Sequence, residues 1–237
     1  MTSLSIAGNL SRIHERIAVA AAKAHRKPEE ITLIGVSKTH PPEAVREAYR
    51  AGLRHFGENR VQEWEGKRGA LADIAEACRF HLIGHLQSNK AARAAKYFDR
   101  VDSVDDFSLA QKLDRAASEK ASFSLKLPVL VEVHIGGEES KSGVAEAGLV
   151  SLAEEILSLP HLRLEGLMCI PPFSADPEEG RPYFAQLRRL QEMLQTRLQV
   201  KLPVLSMGMS HDFEFAIQEG STEVRVGTAL FGTRPAP

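Results

Sequence analysis

A lysine stands at the end of an apolar run, where Ile31-Thr32-Leu33-Ile34-Gly35-Val36 gives way to Ser37-Lys38-Thr39-His40 and then Pro41-Pro42. Thr32 to Val36 is β-branched and aliphatic, too short for a helix and closed off by proline, which predicts a buried strand with Lys38 at its C-terminal end. In α/β sheets and barrels ligands meet the protein at that end, and an ammonium partly withdrawn from water gives up its proton more readily. A neutral amine is a nucleophile towards aldehydes. The competing reading of Lys38 is a solvated loop cation, so its chemistry depends on what other strands bring beside it.

Two stretches near the C-terminus carry anion-binding chemistry. LSMGMSHDFEFAI places Gly208 and Ser210 between an apolar strand and a short helix, so Ser210 is expected to cap that helix and face an anion, with Asp212 as a complication. VRVGTALFG puts Gly227 and Thr228 after the last strand as a backbone-plus-hydroxyl cradle for phosphate. Each alone also reads as a helix cap or a tight turn. Arg225 alternates with Val224 and Val226, which points it inward, either paired with a buried acid such as Glu223 or Glu132 or donating to a ligand acceptor. Glu58 and Asn59 in FGENRVQEW form a polar pair at another strand end, able to orient a ring substituent or Lys38 itself. His81 and His85 invite a metal reading, but Gly84 interrupts the helix a zinc pair needs and no third ligand is evident. Met168 in GLMCIPPF is read as packing beside a planar ligand, against the commoner case of a core methionine, and Lys141 in EESKSG is either solvated or near the site.

These residues need a scaffold that aligns strand ends. Ile6, Leu10, Ile13 and Ile17 recur at helical spacing and predict a helix ahead of the Lys38 strand. From there strands are expected to begin at Thr32, Leu53, Phe80, Arg100, Pro128, Leu162, Pro203 and Glu223. Between them lie helices, including one over Arg60 to Cys78 and one over Asp105 to Lys120 with a Ser103-x-x-Asp106 capping pattern. Eight such units predict an α/β fold of the (β/α)8 TIM-barrel type with an extra N-terminal helix, ahead of a doubly wound open sheet. Phe231 to Pro237 leaves little room for an eighth helix. No composition break marks a linker, so residues 1–237 are expected to form one domain.

Composition narrows the ligand class. A net charge of −1 removes the electrostatic case for nucleic acid, leaving small solutes. Cys78 and Cys169 are far apart, with no CxxC and no secretory leader, which suits reduced thiols in the cytoplasm, and no stretch has the length of a membrane span.

Taken together, SKTHP, FGENRVQE, HLIGHLQSNK, SKSG, GLMCIP, LSMGMSHDFEFAI and STEVRVGTALFG closely resemble the pyridoxal phosphate homeostasis protein family, over about Thr32 to Gly232. The resemblance implies an alanine-racemase-type barrel without that enzyme's β-rich second domain. It implies that Lys38 forms an imine with pyridoxal 5′-phosphate, that Arg225 meets the pyridine nitrogen, that Ser210, Gly227 and Thr228 hold the phosphate, and that Asn59 lines the cofactor. Arg60 stands where many members carry Tyr and His85 where several carry Pro, so neither takes a cofactor role by analogy. A guanidinium at the ring nitrogen keeps that nitrogen unprotonated and weakens the ring as an electron sink. Tyr49, Tyr97 and Tyr183 all fall on expected helices, leaving no evident second base for racemisation. The expected function is therefore intracellular storage and delivery of pyridoxal phosphate by a monomer, with apo-enzymes as recipients and no turnover of its own. An amino-acid racemase is the alternative.

Overall fold

The computed structural model describes residues 5–119, 126–136 and 142–232. Its eight strands are β1 (Thr32–Val36), β2 (His55–Glu58), β3 (Arg79–Leu82), β4 (Arg100–Val104), β5 (Leu127–Glu132), β6 (Leu162–Met168), β7 (Val204–Met209) and β8 (Glu223–Val226). All pair in parallel, and β8 returns to β1 through Thr32↔Glu223 to Gly35↔Val226, which closes a (β/α)8 TIM barrel. The open sheet is excluded by that last pairing.

Helices α1 (Ile6–Lys23), α2 (Pro42–Arg50), α3 (Val61–Arg68), α4 (Ala91–Tyr97), α5 (Phe107–Ser118), α6 (Glu146–Leu157), α7 (Arg181–Leu198), α8 (Phe213–Gln218) and the single turn α9 (Thr228–Phe231) surround the strands. The stretch expected as one helix from Arg60 to Cys78 breaks after Arg68 into two 3₁₀ turns, Gly69–Leu71 and Ala75–Ala77. Glycine at 66 and 69 lowers helix propensity there, and burial of Leu71 and Ile74 favours the bent path. The cap of α5 is Asp106, whose side chain accepts from Leu109 N, rather than Ser103. Ser103 is instead fully buried and donates to Gly84 O across β3 and β4.

Strand alternation divides the interior into levels. Val101, Val129, Leu167, Val224 and Val226 join the core between strands and helices. Inside the barrel, Ile34 and Ile83 close over Gly57, where a Cβ would lie 3.0 Å from the one and 2.8 Å from the other. Below this apolar level the floor is charged. Arg100, from the first position of β4, donates to Asp102 Oδ1 and Oδ2 at 2.7 and 2.9 Å and to Glu223 Oε1 at 2.6 Å. Since β4 and β8 are four strands apart in a ring of eight, this guanidinium spans the barrel. Beside it, His81 Nε2 meets His55 Nδ1 at 3.0 Å.

Asp102 is fully buried and Glu223 is 3% exposed, so removing the cation strands two charges in low dielectric. Arg100→Met is expected to lower unfolding free energy by about 3–5 kcal/mol in urea titrations. A second expectation concerns pH. Burial, reinforced by Arg100, pushes the His81 imidazole from 6.5 down to about 3, so the folded state resists protonation that the unfolded chain accepts. That contribution is fully present above the unfolded pKa and is lost as pH falls from 6.5 towards 3, at up to about 1.4 kcal/mol per pH unit. Unfolding curves across this window should be flatter in His81→Gln than in the parent.

Candidate functional site

Lys38 sits half-buried just beyond β1, in a tight turn where His40 N donates back to Ser37 O at 3.1 Å. Thr39 in that turn has φ 66°, a conformation that strains a β-branched residue by about 1–3 kcal/mol and so needs outside support. Support comes from α3. Lys67 Nζ donates to Ser37 O at 2.9 Å and to Glu58 Oε1 at 3.0 Å, and also bonds Glu63. Glu63 Oε1 in turn accepts from Thr39 N, and Ser37 Oγ donates to Glu58 at 2.8 Å. Burial pushes the Glu58 carboxyl above its ordinary range, with Lys67 and Ser37 opposing it. At Glu63, desolvation is outweighed by the bonds from Lys67 and Thr39 N, so its carboxyl is lowered. Glu58 thus bonds Ser37 and Lys67. Lys67 and Glu63 were not singled out as site residues, although their i,i+4 spacing on one helix was a visible signal.

The phosphate-type cradle forms where the loops after β7 and β8 meet. Ser210 Oγ accepts from Gly227 N at 3.2 Å and from Ala229 N at 3.4 Å, so it belongs to the neighbouring loop and not to its own helix. This corrects the expected cap: the residue before α8 is Asp212, whose carboxylate turns back to accept from Met209 N at 2.6 Å. Gly208 makes the turn possible, with φ 92° and no room for a Cβ, which would fall 2.6 Å from Ala216 Cβ. Thr228, exposed, opens α9 beside this cradle.

Arg225 is 3% exposed and faces inward as alternation predicts, but it pairs with neither acid suggested by the sequence. Its two terminal nitrogens donate to Ser206 Oγ and Cys169 O, each at 2.8 Å, on β7 and just past β6. Glu223 lies a level lower and is held by Arg100, while Glu132 accepts from Ser142 at 3.0 Å. Glu132 Oε2 is buried without a hydrogen-bond partner among the described residues, and burial raises its carboxyl. Met168 is fully buried between Glu132 and Ser206 in the strand register, and its neighbours Leu167 and Cys169 belong to the outer core, which turns its thioether inward. Desolvation pushes the Cys169 thiol up to about 12, so it is no nucleophile at neutral pH.

Asn59 is half-buried at the end of β2, where a 580 Å³ recess opens between the loops after β2 and β3. Gly84 lets those loops touch, since a Cβ there would lie 2.4 Å from Asn59 O. Arg60, His85 and Lys90 line this recess. His85 Nδ1 lies 3.6 Å from Asp105, away from His81 on the barrel floor, so the two histidines do not form one ligand pair. Of the three tyrosines, Tyr183 approaches the mouth: a Cβ on Gly136, past β5, would come within 3.4 Å of its ring. Lys141 lies outside the described residues. Lys38, Ser210, Arg225, Gly227 and Thr228 therefore gather on the adjacent strands β7, β8 and β1, with Asn59 and Met168 flanking them.

A family model for the alanine racemase N-terminal domain matches residues 8–235. The pyridoxal phosphate homeostasis protein of Aquifex aeolicus is 47% identical over 225 residues, covering 95% of this chain and 96% of that one. This chain belongs to the pyridoxal phosphate homeostasis protein family. Its Pseudomonas aeruginosa member is 48% identical over 231 residues, covering 97% of this chain and 96% of that one. PipY of Synechococcus elongatus PCC7942, solved with PLP bound, superimposes with TM-score 0.84 at 39% identity over 96% of this chain and 100% of that one. In this family member the Lys38 turn rests on one buried cation. Lys67→Met leaves the fully buried Glu58 without it and should cost about 3–5 kcal/mol of stability in urea. Adding Glu58→Gln to that variant should restore part of the loss.

Proposed function

We propose that this protein binds pyridoxal 5′-phosphate in the barrel mouth and serves its storage and delivery within the cytoplasm, as a one-domain monomer that passes the cofactor to apo-enzymes without turnover of its own. The observation that carries this reading is the junction of the β7 and β8 loops at Ser210, one strand away from the strained Lys38 turn. The donor set suits the ligand. The hydroxyls of Ser210 and Thr228 supply neutral donors for a phosphate, on a loop whose Gly227 and Ala229 amides Ser210 Oγ holds in place, Lys38 supplies an amine for the aldehyde, and Arg225 supplies a fixed cation at ring depth. Asn59 and Met168 would line the ring. The cofactor would bring an aldehyde that can condense with the Lys38 amine, losing water, and a conjugated ring whose electronics the protein would tune.

Arg225 supports the carrier side of the reading. Ser206 and Cys169 O fix its guanidinium so that it presents a permanent cation and never a carboxylate-bound proton. Racemase-like activity is the second reading, and Tyr183 beside the β5 loop is the observation that favours it. Sustained product formation from holo-protein mixed with a panel of amino acids would decide for the enzyme.

The purified protein is expected to be yellow and, after borohydride reduction, to carry the cofactor on the peptide containing Lys38, with Lys38→Ala colourless. A reduced adduct on Lys90 instead would overturn the assignment. Ser210→Ala and Thr228→Ala should each weaken pyridoxal phosphate by about tenfold or more, since a hydrogen bond to a charged oxygen is worth roughly 1.5–3 kcal/mol. Ser210→Ala should lose more, because Ser210 Oγ also ties Gly227 N and Ala229 N together and so fixes the β8 loop. Pyridoxal without its phosphate should bind all three proteins alike.

A further inference from the structure

The opposite end of the barrel holds a second cavity, of about 450 Å³, walled by His55, His81 and Arg100 and rimmed by Arg79, Lys126 and Arg163. Leu127 and Pro128 give it an apolar side. It lies at the starts of the strands, beneath the Ile34 and Ile83 level, and shares no residue with the mouth site. Nothing in the proposed cofactor chemistry uses it.

Its wall contains a polar atom that the protein leaves unsatisfied. His81 is 4% exposed, its Nε2 meets His55 Nδ1 at 3.0 Å, and its Nδ1 has no hydrogen-bond partner among the described residues, Asp102 Oδ1 standing 4.0 Å off. Burial lowers both imidazoles, so the pair is neutral at physiological pH. A proton on His81 Nδ1, the side facing Asp102, makes Nε2 the acceptor from His55 Nδ1 and turns the far nitrogen of His55 into an acceptor.

The formal charges around the cavity nearly cancel, so donor capacity decides what fits. The acids are already engaged: Asp99 accepts from Phe80 N at 2.8 Å and faces Arg79 at 3.5 Å, and Glu165 accepts from Arg163 at 2.6 Å with Arg100 3.8 Å away. The cations are not used up. No ion pair joins Lys126 to another described residue, Arg163 binds Glu165 through Nε and one terminal nitrogen only, and Arg79 has a side chain 63% exposed. Arg100, by contrast, is spent on Asp102 and Glu223. A site with spare N–H donors and a neutral imidazole acceptor suits an acceptor-rich ion that can carry one proton of its own, such as hydrogen phosphate or a partly protonated dicarboxylate.

We propose that the N-terminal end of the barrel is a second binding site, for a small phosphate or carboxylate anion, held by Lys126, Arg79 and Arg163 against the His55–His81 pair. The test is NMR of the protein labelled at its histidine rings, titrated with inorganic phosphate at fixed pH and ionic strength. His55 and His81 resonances should move saturably, with the same midpoint in Ser210→Ala, and with a midpoint raised about tenfold or more in Lys126→Ala and in Arg163→Ala. Both substituted side chains are exposed, so these variants should fold as the parent does. Saturation by malonate and not by phosphate supports the site and assigns it to carboxylates. A response that never saturates, that chloride reproduces, that Lys126→Ala leaves unchanged, or that Ser210→Ala abolishes would overturn the proposal.

Discussion

The pairing of β8 with β1 is the constraint from which the rest follows. It brings Gly35 level with Val226 across nearly the whole chain and thereby sets the Lys38 turn against the Gly227 loop. Neither stretch can do its chemistry alone. An amine at a strand end is ordinary, and a glycine–threonine turn is ordinary. Parallel closure makes them neighbours at one rim, because in a β/α barrel all strand C-termini face the same side.

The two ends of this barrel manage polarity differently. At the floor a guanidinium crosses from β4 to β8 and bonds two acids at once, so Asp102 and Glu223 share one cation. At the mouth the polar groups are positioned but not exhausted: Arg225 is tethered to a hydroxyl and a carbonyl, and Glu132 keeps one buried oxygen unmatched among the described residues. Between them lies the apolar level of Ile34 and Ile83, which separates the two sets of charges. A cation shared across the barrel braces the floor beneath its cavity, and the mouth is held by bonds from Arg225 to neutral acceptors.

Lys67 shows how the helix layer reaches the site. It lies on α3, yet its ammonium ends under Ser37 O and holds the strained backbone beside Lys38. The strain at Thr39 and the buried carboxylate of Glu58 are therefore two parts of one arrangement. Either alone would be unfavourable, and the shared cation makes both tolerable.

Local pattern in the chain was enough for the eight strands, for the inward direction of Arg225, and for the grouping of Lys38, Ser210, Gly227 and Thr228, because period-two alternation and turn chemistry act over a few residues. Several partners were beyond it. Arg225 bonds Ser206 and Cys169 O instead of an acid, since Arg100 reaches across from β4 to take Glu223, and Glu132 accepts from Ser142. Ser210 serves the β8 loop instead of α8, since two loops distant in sequence meet in space. The helix expected to Cys78 bends after Arg68 because burying Leu71 and Ile74 outweighs a continued helical run. These choices depend on the relative height of strands around a closed ring, and that height is a property of the assembled barrel that no single stretch of sequence encodes.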